Sequence, residues 1–382
     1  LISATQIWPS FLGRAFLQGE ERSDHTGRIL VVIQLTGGND GLNTVIPFAQ
    51  DAYRKARPAI AVPESQVLKI NDHVGLHRSM NAANELLHEG RLSIVQNVGY
   101  PESDRSHFRS MAIWHTAGES GEELPENGWA GRALDRTATG GTDGVFVGSE
   151  DMPRALRGRR ASITSILPGK KLELATSINP HASLLMSGDD SRLSKFVQRN
   201  LAEAYKTVQQ LEQPTGKSAV AYPSSELGAS LRSVAQFIGI ESSARVYYVN
   251  QPGFDTHQSQ VAVHGELLAD FSDSLKAFLD DLKAMKLDER VTVMAFSEFG
   301  RRVSENGSAG TDHGTAGPVF IAGSNLKQRL VGRAPDLSEL DGDDLKVDID
   351  FRRVYATILS DWLDIPHEPI LGADFSPLSL FV

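Results

Sequence analysis

The chain has 382 residues, 40% of them hydrophobic, enough to bury the core of one large α/β domain or two smaller ones. Its 38 basic and 48 acidic residues leave a formal net charge of -10, which repels polyanions and gives no footprint for nucleic acid. It has no cysteine, which excludes disulfides, thiolate metal sites and a cysteine nucleophile, and no run approaches the roughly 18 apolar residues that span a bilayer.

The opening LISATQIWPSFLGRAF is mildly apolar but broken by Pro9 and Gly13, with no basic stretch leading into a continuous apolar one. Residues 1–27 therefore read as a separate segment, a remnant of processing or a strip packed on the domain that follows at 28–382. Within that domain short runs rich in Val and Ile recur: ILVVIQL (29–35), LSIVQNV (92–98), ARVYYVN (244–250), VTVMAF (291–296) and PVFIAG (318–323). They predict strands buried on both faces of a parallel or mixed sheet. Leu227, Leu231, Val234 and Ile238 repeat at helical spacing, as do Leu268, Phe271, Leu275, Phe278 and Leu282. Strands alternating with amphipathic helices predict an α/β layered sandwich. The glycine-rich, polar stretch 118–148 predicts a surface excursion over one end of the sheet, and QPTG at 213–216 separates two helices.

In an open α/β sheet ligands bind outside the carboxyl ends of the strands, so the residues after each apolar run are the ones that matter. Asp40 follows the first run, Ser106 and His107 the second, Asp255 and His257 the third, and Glu298 and Arg301 the fourth; Asp312 and His313 instead precede the last. If these segments share one rim, Asp40, Asp255, Glu298 and Asp312 crowd there, and a divalent cation relieves their repulsion. Imidazole beside carboxylate, with no thiolate, suits zinc, manganese or iron better than calcium or magnesium.

Each residue also has a plainer role open to it. Asp40 in GGND fits a turn, Asp255 with Gln258 fits a helix capping box, and Ser106 fits a helix cap. His264, four residues before Leu268, fits the core; Glu298 and Arg301 fit a simple ion pair, and Asp312 with His313 a polar loop.

GGNDGLNTVIP, VGYPESDRSHF, GWAGRALD, GFDTH, SEFGRR, GTDHG and DFRRVYATILSDWL occur in this order from about residue 27 to the C-terminus. Together they resemble the domain of unknown function family 1501, which looks like a branch of the alkaline phosphatase and sulfatase superfamily. The resemblance implies an alkaline phosphatase-like three-layer α/β/α sandwich with a mostly parallel mixed central sheet. Export by a twin-arginine signal to the periplasm is implied as well. It further implies one or two divalent ions, zinc first, with Asp40 on one and Asp255, His257 and His313 on the other. Glu298 stands for the acid of the superfamily's SDHG, and Phe299 stands where a metal-binding histidine is expected, so that His107 or Asp312 compensates or one ion binds.

Ser106 matches the position of the superfamily's nucleophile, with Arg105 and Arg109 flanking it and Arg301 set to steady developing negative charge. SHFRS lacks the pattern of a formylglycine sulfatase. The activity implied is hydrolysis of phosphate or related sulfate esters, small or polysaccharide, by Ser106 or a metal-activated water. The alternative is a non-catalytic binding protein with a degraded metal site.

Overall fold

The computed structural model describes residues 27–138, 141–168, 220–240 and 242–382. The segment before Gly27 and the QPTG break lie outside the described residues.

Strand β1 (Ile29–Leu35) is buried along its whole length, and its alternate residues serve two cores. Ile29, Val31, Ile33 and Leu35 face one layer of helices, while Leu30 and Val32 face another. This is why the run is continuously apolar: the period of two gives each face its own set of side chains, and neither face meets water.

The sheet is completed by β2 (Leu92–Gly99), β3 (Gly144–Val147), β4 (Ile163–Ile166), β5 (Val246–Gln251), β6 (Val291–Phe296), β7 (Gly317–Ala322), β8 (Leu330–Val331) and β9 (Ile349–Asp350). Its order is β8-β2-β7-β6-β1-β5-β3-β4, with β9 also pairing β2. Strand β1 pairs parallel with β5 (Val32 opposite Tyr248) and with β6 (Val32 opposite Met294). Only β7 runs the other way, antiparallel to both β2 and β6.

Helices α1 (Asn81–His88), α4 (Glu226–Gly239) and α5 (Gln260–Ala284) cover one face. Helices α2 (His107–Thr116), α3 (Trp129–Thr137) and α6 (Phe351–Thr357) cover the other. The predicted stripes are the buried ones, Leu227, Leu231, Val234 and Ile238 on α4 and Leu268 through Leu282 on α5. Each such side chain contributes about 1.5–3 kcal/mol on burial. The result is a three-layer α/β/α sandwich around a mostly parallel mixed sheet, as the sequence predicts. No helix among the described residues is long and apolar enough to cross a membrane.

Within 118–148 the expected surface excursion holds for 119–127, which is exposed or half-exposed and carries no helix or strand, but not for the part that follows. It supplies α3, whose Trp129, Ala130, Ala133 and Leu134 are buried, and then β3, which is buried and paired within the sheet. Gly128 and Gly131, which suggested a loop, serve close packing instead. A Cβ on Gly131 would lie 2.1 Å from the Arg157 carbonyl oxygen, so α3 can seat there only without one. Composition averaged over thirty residues hid the apolar face of a nine-residue helix.

Candidate metal centre

The parallel strands deliver their following loops to one rim: 36–40 after β1, 100–107 after β2, 252–259 after β5 and 297–300 after β6. His313 precedes its strand rather than following it, and the antiparallel course of β7 is what brings it to the same rim. Gly37 lets the first of these loops approach the third: at φ +120° its missing Cβ leaves room for the Asp255 amide nitrogen, 2.4 Å from where that atom would be.

At the rim three imidazoles converge on one carboxylate oxygen. Asp255 Oδ1 lies 3.4 Å from His107 Nε2, 3.1 Å from His257 Nε2 and 3.2 Å from His313 Nε2. The Nε2 atoms of His257 and His313 are 2.9 Å apart. The other nitrogen of each ring is held by an acceptor: His107 Nδ1 by Glu298 Oε1 at 2.8 Å, His257 Nδ1 by Asp312 Oδ1 at 3.2 Å, and His313 Nδ1 by the Arg105 carbonyl at 2.7 Å. With an acceptor at each Nδ1, the neutral form of each ring carries its proton there, which turns its Nε2 lone pair inward.

Lone pairs on three nitrogens and a carboxylate oxygen at 2.9–3.4 Å repel one another unless a cation lies among them. His107 Nε2 is buried and has no hydrogen-bond partner, a cost of about 1–3 kcal/mol for a polar atom left unsatisfied. Ligand atoms of His107, Asp255 and His313 all lie within 4.8 Å of one another, and donors at about 2.0–2.1 Å from a tetrahedral zinc ion would be roughly 3.3 Å apart, close to the spacings around Asp255 Oδ1. The donor set therefore fits a divalent ion of the nitrogen- and oxygen-preferring kind.

The groups around the cluster shift one another's protonation in different directions. The hydrogen bond to Glu298 raises the pKa of His107 above its ordinary value, against the effect of burial. Burial, with Arg301 and His107 nearby, lowers that of His313. Burial alone would raise the pKa of Asp255, but the hydrogen bond and charge of Arg301 outweigh it and leave the carboxyl lowered. Asp312 is lowered by hydrogen bonds from Asn306 and His257.

The other predicted residues are placed differently. Asp40 does not join the cluster: it is fully buried, paired with Arg57 Nη1 at 2.6 Å, bonded by Gln260 Nε2 at 2.5 Å, and caps the turn Gly41–Thr44 by accepting from the Asn43 amide. Its carboxyl is lowered because Arg57 overcomes the burial that would raise it. Glu298 is 1% exposed and accepts from the Gly37 amide, the Ser297 hydroxyl and His107, so it holds the His107 ring from behind.

Arg301 is also buried, and its donors are committed. They go to the carbonyls of Gly37, Gly38, Phe254 and Thr311 and to Asp255 Oδ1 at 2.6 Å. Instead of facing open solvent, Arg301 ties three rim segments together, a role the sequence did not suggest.

Phe299 is buried and packs against His107 and His313, ring centroids 4.9 and 4.8 Å away. His107 takes up a donor position instead. Ser106 occupies the N-cap of α2, but its hydroxyl makes no capping bond and the residue is exposed. Asp255 caps no helix either, since α5 begins only at Gln260, and His264 is a core residue bonded to Asn39 at 2.9 Å. Arg105 pairs with Asp344, and Arg109 donates to the Glu122 carbonyl, so neither guanidinium is free at the cluster.

The family model described as protein of unknown function, DUF1501, matches residues 28–369. No curated protein matches the chain. Among solved structures the chain is similar to a protein in the alkaline phosphatase superfamily from Vibrio parahaemolyticus, with TM-score 0.44 and 9% identity over 92% of this chain and 71% of that one. It is also similar to the PsFucS1 sulfatase from Pseudoalteromonas sp., with TM-score 0.38 and 11% identity over 95% and 71%. The C-terminal periplasmic domain of EcEptC from Escherichia coli, in complex with Zn, aligns with TM-score 0.35 and 10% identity over 80% and 75%.

Proposed function

Because the chain belongs to the DUF1501 family, which is defined without an assigned activity, we propose its function from the rim itself: a metal-dependent hydrolase of phosphate or related sulfate esters. The observation that carries this is the convergence of His107, His257 and His313 on Asp255 Oδ1, with each Nδ1 engaged elsewhere and His107 Nε2 left without a partner. His107, His257, His313 and Asp255 hold one divalent ion, zinc first, with manganese or iron as alternatives. Such an ion supplies Lewis acidity, polarising an ester oxygen and lowering the pKa of water from ~15.7 toward ~7.

The chain's own residues do the rest. Glu298, Asp312 and the Arg105 carbonyl fix the tautomers and orientations of the three histidines. Ser106 presents an uncommitted hydroxyl at the N-terminus of α2, where free amide N–H groups favour a phosphoryl or sulfuryl group. Its Oγ attacks phosphorus or sulfur, the bond to the ester oxygen breaks, and the serine proton replaces it on the departing alcohol. Water then hydrolyses the seryl ester and restores the hydroxyl.

Metal analysis and zinc calorimetry on purified protein test this reading, together with assays on 4-nitrophenyl phosphate and sulfate. We expect one ion per chain, its affinity reduced at least a hundredfold in His313→Ala, and turnover lost in both His313→Ala and Ser106→Ala. A protein that binds no divalent ion and hydrolyses neither ester with any ion added is not this enzyme. Phe299 favours a second reading, a binding protein descended from such an enzyme, because a buried phenyl ring lines the cluster where a donor would complete a second site. Ion binding with no turnover in wild type, Ser106→Ala or His313→Ala would select it.

A further inference from the structure

Beside the metal cluster lies a cavity of about 690 Å³, between the 100–105 loop and the segment 341–350. Arg105 belongs to both places: its carbonyl holds His313 Nδ1 while its guanidinium lines the cavity. Five carboxylates line this space, those of Glu102, Asp341, Asp344, Asp348 and Asp350, against the two cations Arg105 and Lys346. Both cations are already paired, Arg105 with Asp344 and Lys346 with Glu339. Asp348 is answered by Arg333 and Asn97, and Asp350 by Arg352. Glu102 and Asp341 have no ion-pair partner among the described residues.

Asp344 gives the cavity its character. Its side chain is 1% exposed, one oxygen is taken by Arg105, and Oδ1 is buried with no hydrogen-bond partner. A buried carboxylate oxygen in that state calls for a donor, and the surplus of negative charge around it selects a positive one. An anion there would meet the same surplus with the opposite sign, and a neutral hydroxyl would satisfy Oδ1 without offsetting the charge. Burial also raises the pKa of Asp344 despite Arg105, as expected of a charge short of compensation.

We infer that this cavity binds an alkylammonium group, so that the esters cleaved at the adjoining cluster carry a positive charge on the part that is not cut. The inference rests on the hydrolase reading for the word ester, but the cavity's preference for a cation stands apart from it. The two are separated by measuring binding on metal-free protein, where no hydrolysis occurs.

Propylammonium, 1-propanol and propionate are of similar size and carry a positive, a neutral and a negative head group. In ligand-observed NMR titrations at pH 7, propylammonium should bind at least tenfold more tightly than the other two. Asp344→Asn should weaken it at least threefold, and the exposed variants Asp341→Asn and Glu102→Gln, which leave the buried pair intact, should weaken it together to a similar extent. On zinc-loaded enzyme, a 4-nitrophenyl phosphodiester bearing a 3-aminopropyl arm should exceed its 3-hydroxypropyl analogue about tenfold in kcat/KM. Equal binding of propanol and propylammonium, or no binding of any of the three, overturns the proposal. Selective propylammonium binding with no turnover of either diester would keep the cavity and remove the hydrolase.

Discussion

Asp40 and Asp255 each follow a strand of the same sheet, and each sits among an arginine and histidines, yet they are used in opposite ways. Asp40 and Arg57 are both 0% exposed, so the charge of one is cancelled by the other inside the protein. Asp255 is 49% exposed, and although Arg301 touches it, three imidazole nitrogens with inward lone pairs crowd the same oxygen. A chain connects them: Gln260 donates to Asp40 and accepts from Thr311, whose carbonyl receives Arg301, which reaches Asp255. An acid near a strand end thus becomes architecture when the chain buries it against its own cation, and stays open to a bound group when it is left half-exposed among imidazoles.

The contrast can be broken most forcefully at Arg57. Arg57→Met strands a buried carboxylate and should cost about 3–5 kcal/mol in urea unfolding, with zinc stoichiometry of the folded fraction unchanged. A loss below about 1 kcal/mol would mean that the pair is not the structural member of the comparison.

A second test uses pH on another buried group. His115 is buried against Gln34 and Tyr248, and burial pushes its pKa down to about 3. Its folded pKa lies below the unfolded value of 6.5, so the unfolded chain takes up the proton first. The stability contribution is whole above pH ~6.5 and declines as pH falls toward ~3, by about 1.4 kcal/mol per pH unit. His115→Gln should flatten the urea midpoint against pH by one proton over that window, and an unchanged slope would remove burial as the cause.

At the rim the effects are smaller and fall on affinity. Glu298→Gln weakens the hold on His107 and should lower zinc affinity about 10–100-fold, with unfolding of the metal-free protein less affected. Asp312→Asn acts on His257 from an exposed position and should cost only a fewfold, within about 1 kcal/mol. Equal losses in the two variants would show that burial of the orienting carboxylate does not matter, and would blur the distinction drawn between the two acids.

The strands and main helices were legible because their apolar periods are strong: the runs 29–35 and 291–296 are strands to the residue. The stretch 118–148 was not, since glycines needed for close packing look the same in sequence as glycines of a loop. At the site, Asp255, His257 and His313 could be named from their places beside strand ends, and they meet. His107 was named both beside Ser106 and as a stand-in for the histidine that Phe299 replaces, and Glu298 and Asp40 were expected in the cluster itself rather than behind or apart from it. Which members of a polar cluster meet at its centre and which stand behind them depends on distances of a few ångströms between segments far apart in the chain.

The sequence by itself determined the layered α/β architecture, because burial on two faces of a strand and one face of a helix writes a local period that needs no partner to be read. It also determined which residue types stand beside the strand ends. Only the tertiary structure decided that Arg57 neutralises Asp40, that the reversed strand β7 carries His313 to the common rim, and that side chains from three separate segments meet at Asp255 Oδ1. Electrostatic pairing depends on separation in space and on exclusion of water, and neither is a property of neighbours along the chain.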